Sequence, residues 1–145
     1  MENKPYDYIA YIEKYLRKID YIVRKKGREI LNDFNMTIPQ FTALQILINT
    51  GDMTIGELSQ KMSLACSTIT DLIDRMEKTG LVIRKKDLKD KRIVRIEVLP
   101  KGLDILEQVL KKRIEFLELK VSDFTLEDKE TLKRVLEKLY QAMDQ

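Results

Sequence analysis

The 145-residue chain has no histidine and one cysteine, Cys66. A single thiol cannot close an internal disulfide, and without histidine the mixed Cys/His sets of zinc sites are excluded. There is also no glycine-rich phosphate loop, no Ser-x-x-Lys pair and no nucleophile elbow. The carboxylates fall on what read as solvated helix faces, so nothing converges on a reaction and neither enzyme, metal nor cofactor is expected. Long hydrophobic runs are missing. The opening MENKPYDYIAYIEKY has no basic start leading into an apolar stretch and no small-residue cleavage site, so the expected location is cytoplasmic, with no membrane segment. The five glycines, Gly27, Gly51, Gly56, Gly80 and Gly102, are scattered singly, and no low-complexity linker divides the chain. With 43% hydrophobic and 35% charged residues it can bury a core as one unit.

Charge is present but unevenly placed. The net charge is only +3, and no third of the chain is strongly basic. Within residues 84–95 of RKKDLKDKRIVRIEV, however, Arg84, Lys85, Lys86, Lys89, Lys91, Arg92 and Arg95 stand against Asp87 and Asp90, a local excess of 7 − 2 = +5. Binding to a polyanion follows local potential rather than the total, so this stretch is the first candidate for an interface.

Apolar periodicity organises the rest. Tyr8, Ile12, Tyr15, Ile19, Ile22 and Val23 recur at helical spacing and predict one long helix from Tyr6 to about Phe34. In TIPQFTALQILINTG, Thr37 with Gln40 forms a capping-box pattern, Pro39 suits a first turn, and Gly51 ends the helix. TIGELSQKM repeats the device with Thr54 and Glu57, and carries Leu58 and Met62 inward. SLACSTITDLIDRMEKTG places Ile69, Leu72, Ile73 and Met76 on one face, leaves Ser67, Thr68, Thr70, Asp71 and Arg75 on the other, and stops at Gly80. After Gly80 the period becomes alternating. LVIRKKD and RIVRIEV read as two strands joined by LKDK, with Val94, Ile96 and Val98 on one face.

A second long helix is expected from Pro100 to Val121 on the seam Leu103, Leu106, Leu110, Ile114, Leu117 and Val121. Thr125 with Asp128 caps a last helix bearing Leu132, Leu136, Leu139 and Met143. Ile105, Val109 and Phe116 lie off that seam, as Tyr11 and Leu16 lie off the seam of the first helix. A helix apolar on two sides needs two partners, so the terminal helices are expected to make a dimer interface.

The fold class is therefore mainly α with a small β-hairpin wing, a winged helix-turn-helix with long N- and C-terminal dimerisation helices. Residues 37–99 form the lobe, and 1–36 with 100–145 the helical dimerisation region. In such a unit the second helix of the motif enters the major groove of double-stranded DNA and the hairpin reaches flanking backbone or minor groove. The run STITDLIDRMEKTGLVIRKKDLKDKRIVRIEVLPKG, with TIPQFTALQIL and TIGELSQKM before it, resembles the multiple-antibiotic-resistance regulator (MarR) family. The flanking helices match by position and length. The resemblance implies a homodimeric DNA-binding regulator, usually a repressor, often released by a small aromatic or phenolic ligand.

Ser67, Thr68, Thr70 and Asp71 on recognition helix 65–79 are the candidate base-edge contacts, since hydroxyls donate or accept and a carboxylate accepts from cytosine N4. The alternative is a solvated helix face. Asp71 stands where the family often has a basic or small residue, so no base preference carries over. Arg75 either supports the motif and approaches the backbone, as the resemblance implies, or pairs with Asp71 one turn away. In wing 84–98, Lys86, Lys89 and Lys91 are candidate DNA contacts. Arg92 is by resemblance the wing-tip arginine of a D-x-R pattern that enters the minor groove, where narrow A·T-rich segments concentrate negative potential. Asp90 either orients Arg92 or pairs with Arg75. Tyr11, Tyr15 and Phe41 are candidates to line an effector pocket between the dimer helices and the lobe, interface packing being the alternative for the tyrosines. Cys66, near the start of the recognition helix, is a redox candidate because a helix N-terminus favours thiolate. Peroxide-sensing members of that family carry their cysteine in the first helix, where this chain has none, so a small residue that merely fits is the preferred reading. The competing function is a winged-helix protein-interaction module without sequence-specific DNA binding.

Overall fold

The computed structural model describes residues 5–145, with side chains described from Asp7 onward, so the side chain of Tyr6 lies outside the described residues. The order is α1 (Pro5–Asp33), α2 (Ile38–Thr50), α3 (Ile55–Met62), α4 (Cys66–Lys78), β1 (Val82–Lys86), β2 (Val94–Val98), α5 (Pro100–Lys120) and α6 (Leu126–Met143).

Local chemistry sets each boundary. At α2 the capping box is complete: Thr37 Oγ1 accepts from the Gln40 amide at 3.3 Å, and the Thr37 amide donates to Gln40 Oε1 at 3.0 Å. Thr54 caps α3 by accepting from the Glu57 amide at 3.1 Å. The expected return bond from the Glu57 side chain is not the one that forms, because its carboxylate stands 3.7 Å from Arg95 on the hairpin. A tertiary cation has replaced the local partner. Between α3 and α4 the chain turns through Ser63, held in the left-handed region at φ 55° with its neighbour Leu64 donating back to Ser59 O. Helix α4 ends at Gly80, φ 77°, where the Leu81 amide reaches Met76 O at 2.9 Å and Lys101 Nζ donates to Thr79 O at 2.7 Å. Both bonds occupy carbonyls that a helix end leaves without intrahelical donors.

The hairpin is antiparallel, with Val82 opposite Val98, Arg84 opposite Ile96 and Lys86 opposite Val94. The Ile96 amide also donates to Met53 O at 2.7 Å, fastening β2 to the segment between α2 and α3. Leu44, Leu58, Ile69, Ile73, Met76, Val82 and Ile96 are fully buried, so the lobe's core is made where α2, α3 and α4 close on the hairpin.

The chain divides into two compact units, one running to Leu110 and the other from Lys111 to Gln145. Within the first unit, α5 meets the core with residues from both of its stripes: Val109 is buried, Ile105 and Leu106 pack against the core, and Leu103 and Leu110 are exposed. Gly102 lies at the start of this core-facing side, where the helix approaches the hairpin most closely. A Cβ there would meet Leu81 O at 2.6 Å and Val98 Cγ1 at 2.8 Å, so the helix start sits flush on the hairpin base with Val109 turned inward. On α1, Tyr8, Ile12, Tyr15, Ile19 and Ile22 stay about half exposed or more, and the helix joins the core through Ile30 and Leu31. In the second unit α6 has no buried residue, and Leu132, Leu136 and Met143 are exposed.

Candidate nucleic-acid interface

Helix α4 is two-sided. Ile69, Ile73 and Met76 anchor it in the core, and Ser67, Thr68, Thr70, Asp71 and Arg75 all stand exposed on its outer face. The Thr70 hydroxyl donates to Cys66 O at 2.9 Å, which commits its proton but leaves its lone pairs to accept. Arg75 makes no ion pair among the described residues, so the one-turn pairing with Asp71 does not form and its guanidinium remains available.

The basic stretch separates into two groups. On the strands the charges short of the terminal Lys86 are consumed internally: Arg84 meets Asp74 at 2.6 Å and Glu77 at 3.2 Å, Lys85 meets Glu97 at 3.1 Å, and Arg95 meets Glu57 at 3.7 Å. Lys86 at the strand end, and Lys89 and Lys91 in the loop, are exposed and make no ion pair among the described residues. The loop is shaped rather than trailing, since the Asp87 amide donates to Ile93 O at 2.9 Å and the Ile93 amide to Asp90 O at 3.0 Å.

Of its two expected partners, Asp90 bonds to Arg92. Its Oδ1 accepts from the Arg92 amide and from Arg92 Nε, each at 3.1 Å, and its Oδ2 accepts from Arg92 Nη2 at 3.1 Å. The Arg92 side chain, with its backbone amide, holds the Asp90 carboxyl below its ordinary value, and the carboxylate raises Arg92 in turn. Arg92 remains 90% exposed, so the carboxylate aims the guanidinium without covering it.

Comparison with known proteins bears on what this lobe is for. The MarR family model matches residues 36–94. The chain is 52% identical over 143 residues to the uncharacterized HTH-type transcriptional regulator YsmB of Bacillus subtilis, covering 99% of this chain and 98% of that protein. It is 45% identical to a MarR family protein from Bacillus stearothermophilus, over 99% of this chain and all of that one, with a TM-score of 0.87. The chain belongs to the MarR family. A mutant of Staphylococcus aureus MepR bound to an oligodeoxyribonucleotide shares the fold at 21% identity, covering 97% of this chain and 99% of that one, with a TM-score of 0.72.

This MarR-family transcriptional regulator thus has the DNA-binding winged-helix fold that its helix order and hairpin suggested. The remaining candidate residues are dispersed. Phe41 is buried in the lobe's core, whereas Tyr11 and Tyr15 are 58% and 53% exposed on α1. Cys66 is the exposed first residue of α4, next to Ala65, which offers no side-chain cap. Sequence reasoning missed the engagement of Arg84. The signal was present, since Asp74 and Glu77 lie one turn apart on α4, and Val82, Arg84 and Lys86 share one face of β1. Among the described residues no helix is long and apolar enough to cross a membrane.

Proposed function

We propose that this MarR-family regulator works in the cytoplasm as a homodimer that occupies a pseudo-palindromic DNA site and represses transcription there. The observation that carries the reading is the combination of α4's exposed polar face with a shaped loop whose lysine side chains make no ion pair among the described residues. Ser67, Thr68, Thr70 and Asp71 would read base edges, Arg75 and Lys86, Lys89 and Lys91 would meet phosphates, and Arg92 would enter the minor groove. Residues 37–99 would act as the reading lobe, and 1–36 with 100–145 would pair through the apolar faces of α1, α5 and α6. The oligonucleotide-bound MepR mutant supports the DNA reading by likeness of fold. Binding of a small aromatic effector near Tyr11, Tyr15 and Phe41 would release the DNA.

Selection of bound duplexes from a random pool tests the central reading. The expected product is an inverted repeat whose half-sites lie about 10 base pairs apart or a multiple of that. Absence of any duplex affinity at low salt overturns it. The effector reading is tested apart, by release of the selected duplex with a panel of aromatic acids, and fails if none releases it.

A further inference from the structure

Arg84 is the least exposed cation of the basic stretch's ion pairs, at 27%, and both of its terminal guanidinium nitrogens are engaged within the lobe. Its Nη2 donates to Asp74 and its Nη1 to Glu77, and its backbone amide donates to Glu77 Oε2 at 2.8 Å. Two carboxylates one turn apart on α4 thus grip one residue of β1 by both side chain and main chain. The face it occupies explains why. Arg84 lies two residues from the fully buried Val82 and opposite the fully buried Ile96, so strand alternation turns it toward the lobe. A cation in this sequence context would ordinarily be assigned to phosphate, yet this one is withdrawn from it.

We propose that Arg84 is a positioning residue for DNA recognition, which fixes the wing tip relative to the recognition helix and does not itself touch DNA. The inference rests on the DNA-binding function proposed above. Its leverage comes from geometry. The loop tip lies about four residues beyond Arg84, or about 13 Å at 3.3 Å per residue, so a hairpin tilt of about 10° moves the tip by about 2 Å. That distance is enough to lengthen and misalign the Arg92 contact in the minor groove, weakening it without taking its charge off the DNA, while α4 stays in its groove.

The test compares wild type with Arg84→Met and Asp74→Asn on two probes, a duplex selected by the wild-type protein from a random pool and an alternating inosine–cytosine polymer. The two substitutions change charge in opposite directions. Simple electrostatics has Asp74→Asn bind all DNA more tightly, whereas loss of positioning has both variants bind the selected duplex about tenfold more weakly, near the low end of what one lost base contact costs. The slope of log affinity against log salt is expected to stay at the wild-type value in both, because no phosphate contact belongs to Arg84. A slope shallower by about 1.8 in Arg84→Met, two contacts per dimer at about 0.9 each, overturns the proposal, since it makes Arg84 a direct contact. Tighter binding of Asp74→Asn to both probes, or no change in either variant, also overturns it. Thermal melting checks that each variant is folded at the assay temperature. Where Arg84→Met melts too low, Glu77→Gln, which retains an acceptor for the Arg84 amide, replaces it with the same expected loss. Wild-type protein without salt-dependent duplex affinity brings down both readings, whereas wild-type binding with indifferent variants brings down this one alone.

Discussion

The division of wing charges into consumed and available can be measured directly by salt. Each lysine or arginine that neutralises a phosphate releases condensed counterions, and the slope of log affinity against log salt steepens by about 0.9 per contact on duplex DNA. Counting all seven basic residues of 84–95 in each protomer of the proposed dimer gives fourteen contacts and a wing contribution of about −13. Removing Arg84, Lys85 and Arg95, which the lobe's own carboxylates occupy, leaves Lys86, Lys89, Lys91 and Arg92, eight contacts and about −7. The sharpest discrimination is between two lysines. Lys91→Ala should make the slope shallower by about 1.8, two phosphates per dimer, and should weaken binding most at low salt. Lys85→Ala removes the same formal charge six residues away, but it also frees Glu97, its partner at 3.1 Å, and should leave the slope within the error of the measurement. Fluorescence anisotropy on one selected duplex, across a salt series and at a single pH, provides both slopes. If the two variants lose slope equally, the internal ion pairs dissolve on contact with DNA, and assigning charges from the unbound protein is wrong.

Other outcomes follow from individual residues. Gly102→Ala should destabilise the lobe by about 1 to 3 kcal/mol in urea unfolding, because the new Cβ would stand 2.6 Å from Leu81 O, a carbonyl that already accepts from Leu99. An unchanged midpoint would show that α5 can lift from the hairpin base at no cost. Ser63→Gly should raise stability by about 1 kcal/mol, since the left-handed φ of 55° is costly for a residue with a Cβ and free for glycine. Melting that falls instead would mean that the Ser63 side chain supplies more than its backbone costs. Asp90 lies below its ordinary value of 3.8 through its bonds with Arg92, so whatever it contributes is present above that value and is lost only as pH falls through the lower, folded one. Carbon NMR should place its titration below 3.8 in wild type and nearer that value in Arg92→Ala, and no difference between the two would remove the Asp90–Arg92 pairing.

What could be read from the chain was whatever depends on neighbours in sequence. The Thr37 and Gln40 caps, the stops at Gly51 and Gly80, and the switch from helical to alternating period at Leu81 are decided within a few residues, and all are found where the pattern put them. The faces of α5 were not readable in this way. With Leu103, Leu106 and Leu110 in one stripe and Ile105 and Val109 off it, periodicity does not show that the lobe takes Leu106 together with Ile105 and Val109. The close approach of Gly102 to Leu81 and Val98 is likewise a contact between segments that the period does not connect.

The wing follows the same rule, and there it bears on function. A sum of charges over 84–95 treats every lysine and arginine alike, but a strand residue can reach the helices its sheet packs on, and a loop residue cannot. Arg84 and Arg95 therefore find Asp74, Glu77 and Glu57 on α4 and α3, and Lys85 finds Glu97 across the ladder. Lys89 and Lys91 have only loop neighbours, and the one pairing formed within the loop, Asp90 with Arg92, leaves the guanidinium 90% exposed. Neutralisation is thus graded along the hairpin, strongest at its base and weakest at its tip. A uniform basic strip would attract DNA at any orientation, whereas this gradient favours approach by the tip, with the base serving as its mount. Two aspartates among seven cations are consistent with that arrangement: Asp90 bonds to Arg92, and the Asp87 main chain closes the loop on Ile93. Neither restores neutrality where the charge is to be used.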